Sequence, residues 1–231
     1  GVIGVVTQET PSLVSSIGIK DVTFGDPVEA MNRVAAQLSD GNAANGEAQV
    51  LVAEYHEGAA RSLPVPLPDQ VAAGGAFADI VNKTAASVDV IFTAHTHQSY
   101  SYTAAKPGGG DRPVLQAASY SEKLAQAVLT VDASGNVTKY AAKLIDRTKD
   151  KPADLVASYS VVQTVDDITK AALAYAEKVG SEEVGKLTAD ITTAFSGGDY
   201  VNGVYTGGSR DDRAKESTMG TLIADSLLKT L

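Results

Sequence analysis

Val88-Asp89-Val90-Ile91-Phe92-Thr93-Ala94-His95-Thr96-His97 is the stretch from which the organisation of the chain can be read. Its unbroken run of Val, Ile and Phe suits a strand covered on both faces, as in a parallel sheet. The run stops at His95-Thr96-His97, ahead of the polar stretch Gln98-Ser99-Tyr100-Ser101, which reads as a loop. In open α/β sheets ligands gather beyond the carboxyl ends of the strands, so chemistry is expected here. Residues i and i+2 of an extended chain point the same way. That spacing predicts that His95 and His97 face one metal ion, or two adjacent ones.

A second segment repeats the design. Gln49 to Tyr55 is a short apolar strand, and His56-Glu57-Gly58 closes it. The three histidines of the chain therefore all sit at two strand ends. A histidine closing a single strand is commonly structural. A His-x-His closing one buried strand, with the remaining histidine closing another, also has the look of a metal-ligand set.

Working outward, Gly1 to Val6 reads as a buried strand and Pro11 to Gly25 as a loop. Asp26-Pro27 opens a helix with Pro at its first position, and Val28, Met31, Val34, Ala35 and Leu38 recur at helical spacing on its inner face. With the strand at 49–55 this makes a β-α-β unit, whose default pairing is parallel. Gly58 to Gly75 reads as a long loop carrying Pro64, Pro66 and Pro68. A helix from about Ala76 to Ala86 turns Phe77, Ile80 and Val81 inward, with Asp79 on its early turns read as a helix-dipole charge in preference to a partner for a histidine. Pro107-Gly108-Gly109-Gly110 lacks the Gly-Lys-[Ser/Thr] of a phosphate cradle and reads as a hairpin loop. Val114–Ala117, Lys123–Val131 and Val137–Asp146 read as strands added antiparallel to the sheet, the last two joined by the turn Asp132 to Asn136. Ser119 and Tyr120, in the turn before the strand at 123–131, are within range of an approach to the site, but turn chemistry accounts for them. A long helix is expected from Pro152 to about Val179, then a strand from Val184 to Phe195, a Gly- and Asp-rich loop at 197–212 in which Arg210 and Arg213 read as solvated, and a last helix opened by Glu216-Ser217.

A formal net charge of −9 over 231 residues argues against nonspecific nucleic-acid binding, which needs a basic footprint. Phosphate esters approaching such a surface need metal ions to offset the repulsion. The chain has no cysteine, which rules out disulfides and thiolate ligands. No apolar run is long enough to span a bilayer.

Four segments, in order, resemble the bacterial 5′-nucleotidase group of calcineurin-like metallophosphoesterases. They are Ile3-Gly4 with Thr7-Gln8-Glu9-Thr10-Pro11, then His56-Glu57-Gly58, then Ala94-His95-Thr96-His97, then Glu216-Ser217-Thr218-Met219-Gly220-Thr221-Leu222-Ile223-Ala224-Asp225. The chain departs from the group's pattern at Ala94, where Gly is usual, at Tyr55, where a small residue is usual, and at Thr221, where Asn is common. In the group an Asp-x-His, a Gly-Asp and a Gly-Asn-His-Glu all precede the segment matched by Ile3-Gly4, and neither Asp-x-His nor Gly-Asn-His-Glu occurs here, so the chain is expected to be an internal piece of a longer protein, without the catalytic histidine of the Asn-His-Glu motif.

The resemblance implies an α/β fold: the C-terminal half of a four-layer α/β/β/α metallophosphoesterase sandwich at 1–150, a linker helix at 151–180, and the beginning of a second, α+β nucleotidase domain at 181–231. It implies that His56 and His95 bind one divalent ion and His97 a second, two ions of zinc, manganese or iron making the complete site. The implied partner is a nucleotide or another small phosphate ester, and the implied location of the parent protein is secreted or cell-surface. A sheet surface left bare is expected to be covered in a homodimer. A different reading keeps the chain as a noncatalytic α/β module, binding a single divalent metal through its three histidines or acting as a scaffold.

Overall fold

The run at Val88–Thr93 is the middle strand of a five-stranded sheet in the computed structural model, which describes residues 1–201 and 204–230. Its strands are β1 (Val2–Val6), β2 (Leu51–His56), β3 (Val88–Thr93), β4 (Ser99–Ala105) and β5 (Asp111–Ala117), in the spatial order β1-β2-β3-β5-β4. Strands β1, β2, β3 and β5 run parallel, and β4 returns antiparallel along β5. The fold is thus α/β with a mainly parallel sheet. Between the strands lie α1 (Thr10–Leu13), α2 (Pro27–Gln37), α3 (Leu67–Ala72) and α4 (Gly75–Lys83).

The α2 helix starts where the Asp-Pro pair requires. Asp26 Oδ1 accepts hydrogen bonds from the amides of Val28 (2.7 Å) and Glu29 (3.1 Å), satisfying two donors that no helix can pair internally. The buried side chains Val28, Met31 and Ala35 of α2 and Phe77, Ile80 and Val81 of α4 join Ile3, Ala53, Tyr55, Ile91, Tyr100 and Val114 of the sheet in one core. Each large aliphatic side chain buried in this way contributes roughly 1.5–3 kcal/mol over leaving it in water.

Arg112 is fully buried inside this layer. Its guanidinium donates to the carbonyls of Ala85 (2.7 Å), Thr84 (2.8 Å), Val88 (3.3 Å) and Val81 (3.4 Å), closing the C-terminal end of α4, where unpaired carbonyls and the helix dipole favour a cation. Burial pushes its pKa down to about 10, still far above neutrality. At the other edge of the core, the Asp89 carboxylate takes the Leu51 amide (3.1 Å) beside the register shift between β2 and β3, and pairs with Lys106 at 2.9 Å.

Several expectations are corrected. Residues 99–101 are not loop: Ser99–Ala105 is β4, with Tyr100, Tyr102 and Ala104 buried on alternate positions. The segment 58–75 is not wholly irregular, since α3 forms at Leu67–Ala72. Strands β6 (Lys123–Val131) and β7 (Val137–Asp146) do not extend the sheet. They make a separate two-stranded hairpin that packs against β5 and β4, where the Tyr140 hydroxyl donates to Thr103 Oγ1 at 3.2 Å. The hairpin leaves part of the face uncovered at the β1 edge, where Val2 and Val6 are exposed. Asp79 pairs with Lys83 one turn on, at 2.8 Å on the surface, and not with a histidine.

Residues Gly1–Lys149 form one compact unit and Asp150–Leu231 another. In the second, the expected single helix is two, α5 (Pro152–Ser158) and α6 (Ser160–Gly180), because Tyr159 leaves helical geometry at φ −131°, ψ 113°. The expected strand at 184–195 shrinks to β8 (Phe195–Ser196), which pairs with β11 (Ser209–Arg210); between them β9 (Asp199–Val201) and β10 (Val204–Thr206) form a hairpin. Residues 202 and 203 of the Gly- and Asp-rich stretch lie outside the described ones. The Arg210 guanidinium lies 5.5 Å from the centre of the Phe195 ring. The last helix, α7 (Thr218–Thr230), begins at Ser217, whose Oγ accepts from the Gly220 amide at 3.0 Å.

Candidate functional site

His56 is the last residue of β2, and His95 lies two residues past the end of β3. The two strands are parallel neighbours, with Tyr55 opposite Thr93, so both histidines reach the same carboxyl edge of the sheet. Their imidazole centres are 5.1 Å apart with the rings tilted by 53°.

The backbone does not carry His95 and His97 there in extended form. Both residues have left-handed dihedrals, φ 66° at His95 and φ 58° at His97. The Thr96 amide donates back to the Ala94 carbonyl at 2.7 Å, closing a three-residue turn centred on His95. With positive φ at its centre this is the rare, strained form of that turn. The i, i+2 argument for two histidines sharing one direction therefore fails, because it presumes a strand that ended at Thr93. The His97 ring meets the Tyr120 ring edge-on at 5.5 Å, and Tyr120 is 80% exposed. Left-handed φ also occurs at Ala118 (59°), Tyr120 (51°) and Ser121 (58°), and the Ala118 amide donates to Gln98 O at 2.8 Å, tying that turn to the histidine turn. Strain of this kind collects at functional sites, held by the structure around it.

The Gly of His56-Glu57-Gly58 has a steric role. A Cβ there would stand 2.8 Å from Ala94 O, 2.8 Å from Thr96 Oγ1 and 3.0 Å from Gln116 Oε1. Only glycine lets the histidine turn lie this close to the end of β2. The Ala94 amide donates to Glu57 O at 3.2 Å, and Gln98 Nε2 donates to Thr96 O at 2.9 Å. Beneath the turn, the Tyr100 hydroxyl bonds Thr93 Oγ1 (2.6 Å) and accepts the Ala59 amide (3.0 Å); burial pushes its pKa up to about 12.

The N-terminal motif reaches the same place. Thr7 is buried; its hydroxyl donates to Glu57 Oε2 at 2.9 Å and accepts the Glu9 amide at 3.1 Å. Glu9 thereby presents Oε2 to His95 Nε2 at 3.1 Å, although 86 residues separate them. A carboxylate on one imidazole nitrogen fixes the tautomer and leaves the other nitrogen, here Nδ1, with its lone pair free for a metal. Sequence reading sets Glu9 inside a motif without giving it a role, explains Tyr120 by its turn, and does not single out Gln116. The motif Thr7-Gln8-Glu9-Thr10-Pro11 carries the signal for the first.

Imidazole nitrogens suit zinc or iron, and a carboxylate oxygen suits manganese. By this donor chemistry His56 and His95 fit one ion in part. Among the described residues no group of three or more histidine or acidic side chains is arranged to hold a metal ion, so His97 and the pair do not make a complete centre here.

No family model matches the chain. A curated relative is the endonuclease YhcR of Bacillus subtilis (strain 168), 28% identical over 197 residues, which are 84% of this chain and 14% of that protein. That alignment is longer than either compact unit, so it crosses both. Solved structures that superpose on the chain include a Staphylococcus aureus protein assigned as a 5′-nucleotidase, in complex with alpha-ketoglutarate, at TM-score 0.45 and 18% identity over 65% of this chain and 28% of that one. A 5′-nucleotidase precursor of Thermus thermophilus superposes at TM-score 0.42 and 20% identity, over 75% of this chain and 31% of that one. The chain thus spans about a seventh of its curated relative and under a third of either solved chain. It shares sequence with a Bacillus endonuclease, and in the order of its motifs it resembles the 5′-nucleotidase group of calcineurin-like metallophosphoesterases.

Proposed function

We propose that the chain supplies part of the metal centre of a phosphoric-ester hydrolase that acts on nucleotides, a 5′-nucleotidase in the first reading. The observation that carries the proposal is the pairing of His56 and His95, 5.1 Å apart at the ends of adjacent parallel strands, with Glu9 Oε2 against Nε2 of His95. In this reading His56 and His95 hold one divalent ion (zinc, manganese or iron) and His97 contributes to a second. Bound ions supply Lewis-acid polarisation of the phosphoryl group and offset the charge of an acidic protein. The chain's own residues do the positioning. Glu9 sets the His95 tautomer, Thr7 and Glu57 hold Glu9, and the exposed Tyr120 ring beside His97 stands at the rim where the ester enters. By the same resemblance, the unit Asp150–Leu231 contains a linker helix and the start of a nucleotide-gripping domain, in a secreted or surface protein. Among the described residues no helix is long and apolar enough to cross a membrane.

The named activity of the Bacillus relative favours a second reading, in which the ester is a phosphodiester of a nucleic acid. The two are separated by assaying the full-length native protein, with zinc or manganese, on AMP and on an end-blocked DNA oligonucleotide. Phosphate release from AMP supports the first reading, and internal cleavage of the oligonucleotide supports the second. In either, His56→Ala and His95→Ala are expected to lower turnover by at least a hundredfold while the fold persists. Turnover unchanged in both variants refutes the assignment of the histidines.

A further inference from the structure

We propose that Gln116 and Thr96 form a clasp that holds the His95–His97 turn in its left-handed shape, which makes them positioning residues for the histidines; the inference rests on the reading of those histidines as metal ligands. Thr96 sits between two non-glycine residues of positive φ, at 66° and 58°. Such a backbone relaxes toward ordinary dihedrals unless neighbouring contacts over-determine it. The contacts that reach Thr96 come from three separate parts of the chain. From β5, Gln116 Oε1 accepts the Thr96 hydroxyl at 2.9 Å. From the end of β2, Gly58 packs against Thr96 Oγ1 and Gln116 Oε1 so closely that a Cβ would meet them at 2.8 and 3.0 Å. From the following segment, Gln98 Nε2 donates to the Thr96 carbonyl at 2.9 Å and is itself placed by Ser62, whose hydroxyl donates to Gln98 Oε1 at 2.8 Å.

Gln116 is unusual in what it leaves undone. It is 2% exposed, yet its Nε2 has no hydrogen-bond partner among the described residues. A buried amide that leaves two donors unpaired is worse for stability than an apolar side chain of the same shape. A residue chosen for packing alone would be Leu or Met. The side chain makes sense through its oxygen, which is spent on Thr96. Gln116 also lies opposite Tyr100 in the β4–β5 ladder, and Tyr100 bonds the end of β3 through Thr93, so the clasp is anchored to the strand that delivers the turn. The hydroxyl of Thr96, not its methyl, is the element that matters.

The test uses the 231-residue chain with carbon-13-labelled histidine. Two quantities are read: the proton–proton NOE between the His56 and His95 rings, and zinc affinity by titration calorimetry. Thr96→Val, isosteric but without the hydroxyl, is expected to lose the inter-ring NOE and to weaken zinc binding about 10- to 100-fold, the usual cost of removing a group that orients a ligand. Thr96→Ser is expected to restore both. Gln116→Met, of similar volume, is expected to match Thr96→Val in both readouts; melting of Thr96→Ser and Gln116→Met is expected to stay near that of the wild type, whereas Thr96→Val, which leaves Gln116 Oε1 buried without its donor, is expected to melt lower. A Thr96→Val chain that keeps the NOE and the affinity overturns the clasp, and so does a Thr96→Ser chain that behaves like Thr96→Val. If Gln116→Met fails to fold, the pair of Thr96 variants still decides. The wild-type chain holds only part of the proposed centre, so if it binds no zinc the NOE comparison judges the clasp on its own.

Discussion

Gly58→Ala places one methyl group where the structure has no room for it. Gly58 is not among the residues of positive φ, so an alanine can adopt its backbone conformation without strain. By reducing the freedom of the unfolded chain the change alone would stabilise by about 0.4–1 kcal/mol. The cost comes from the three oxygens around the new Cβ, at 2.8 Å (Ala94 O), 2.8 Å (Thr96 Oγ1) and 3.0 Å (Gln116 Oε1). A carbon–oxygen contact relaxes only beyond roughly 3.3 Å. The nearest oxygen belongs to the backbone, so the turn itself must move by some tenths of an ångström. Overpacking of this kind costs about 1–3 kcal/mol, which leaves a net destabilisation centred at ~1.3 kcal/mol and reaching about 2.6 kcal/mol. At roughly 2–4 °C per kcal/mol for a protein of this size, the central value lowers the melting temperature by about 3–5 °C. Gly4→Ala is the control, because nothing among the described residues lies within 4 Å of its Cβ position. The assay is urea and thermal unfolding followed by amide signals of β2 and β3, with the distance between the His56 and His95 rings as a second readout. A Gly58→Ala chain as stable as Gly4→Ala, with the ring pair intact, would refute the close-approach argument.

Two further outcomes follow from buried polar groups. Burial raises the phenols of Tyr55 and Tyr100 to about 12, above the ordinary value of 10, so the native state keeps protons that the unfolded chain releases. Their stabilisation is complete below pH 10 and is lost as pH rises toward 12, on the order of 2–3 kcal/mol for each. Arg112, pushed down to about 10, works in the opposite sense over that range, because its native form releases its proton first. Unfolding in urea is expected to become easier between about pH 10 and 12, with a flatter profile in a Tyr55→Phe, Tyr100→Phe double variant; identical profiles would count against this assignment. Arg112→Leu strips the donors from three carbonyls at the end of α4 (Val81, Thr84 and Ala85) and from that of Val88 at the start of β3, and is expected to destabilise by roughly 3 kcal/mol or more. A loss below about 1 kcal/mol in denaturant titration would show that water or backbone adjustment replaces the guanidinium.

Local chemistry makes much of the architecture legible without coordinates. Asp26-Pro27 with apolar residues at helical spacing specifies α2, and Asp132 to Asn136 specifies the β6–β7 turn, where Asp132 Oδ1 accepts the amides of Ser134 and Asn136 at 2.9 Å. The apolar runs ending in His56 and His95 locate the carboxyl edge of a parallel sheet, since unbroken Val, Ile and Phe answer to burial on two faces. Even β4 is present as an alternation, Tyr100, Tyr102 and Ala104 inward against Ser99, Ser101 and Thr103, although its polar half disguises it as loop. These features depend on periods of two or 3.6 residues and on turn propensities, all properties of neighbours in sequence. What the sequence by itself leaves open is decided by contacts between distant residues. No local preference puts His95 and His97 at positive φ; Gly58, Gln98 and Gln116 hold them there from other segments. Glu9 meets His95 only because Thr7 bonds Glu57 at the end of the neighbouring strand. The β6–β7 hairpin packs against β5 and β4 without joining their ladder, an arrangement set by contacts between residues far apart in the chain.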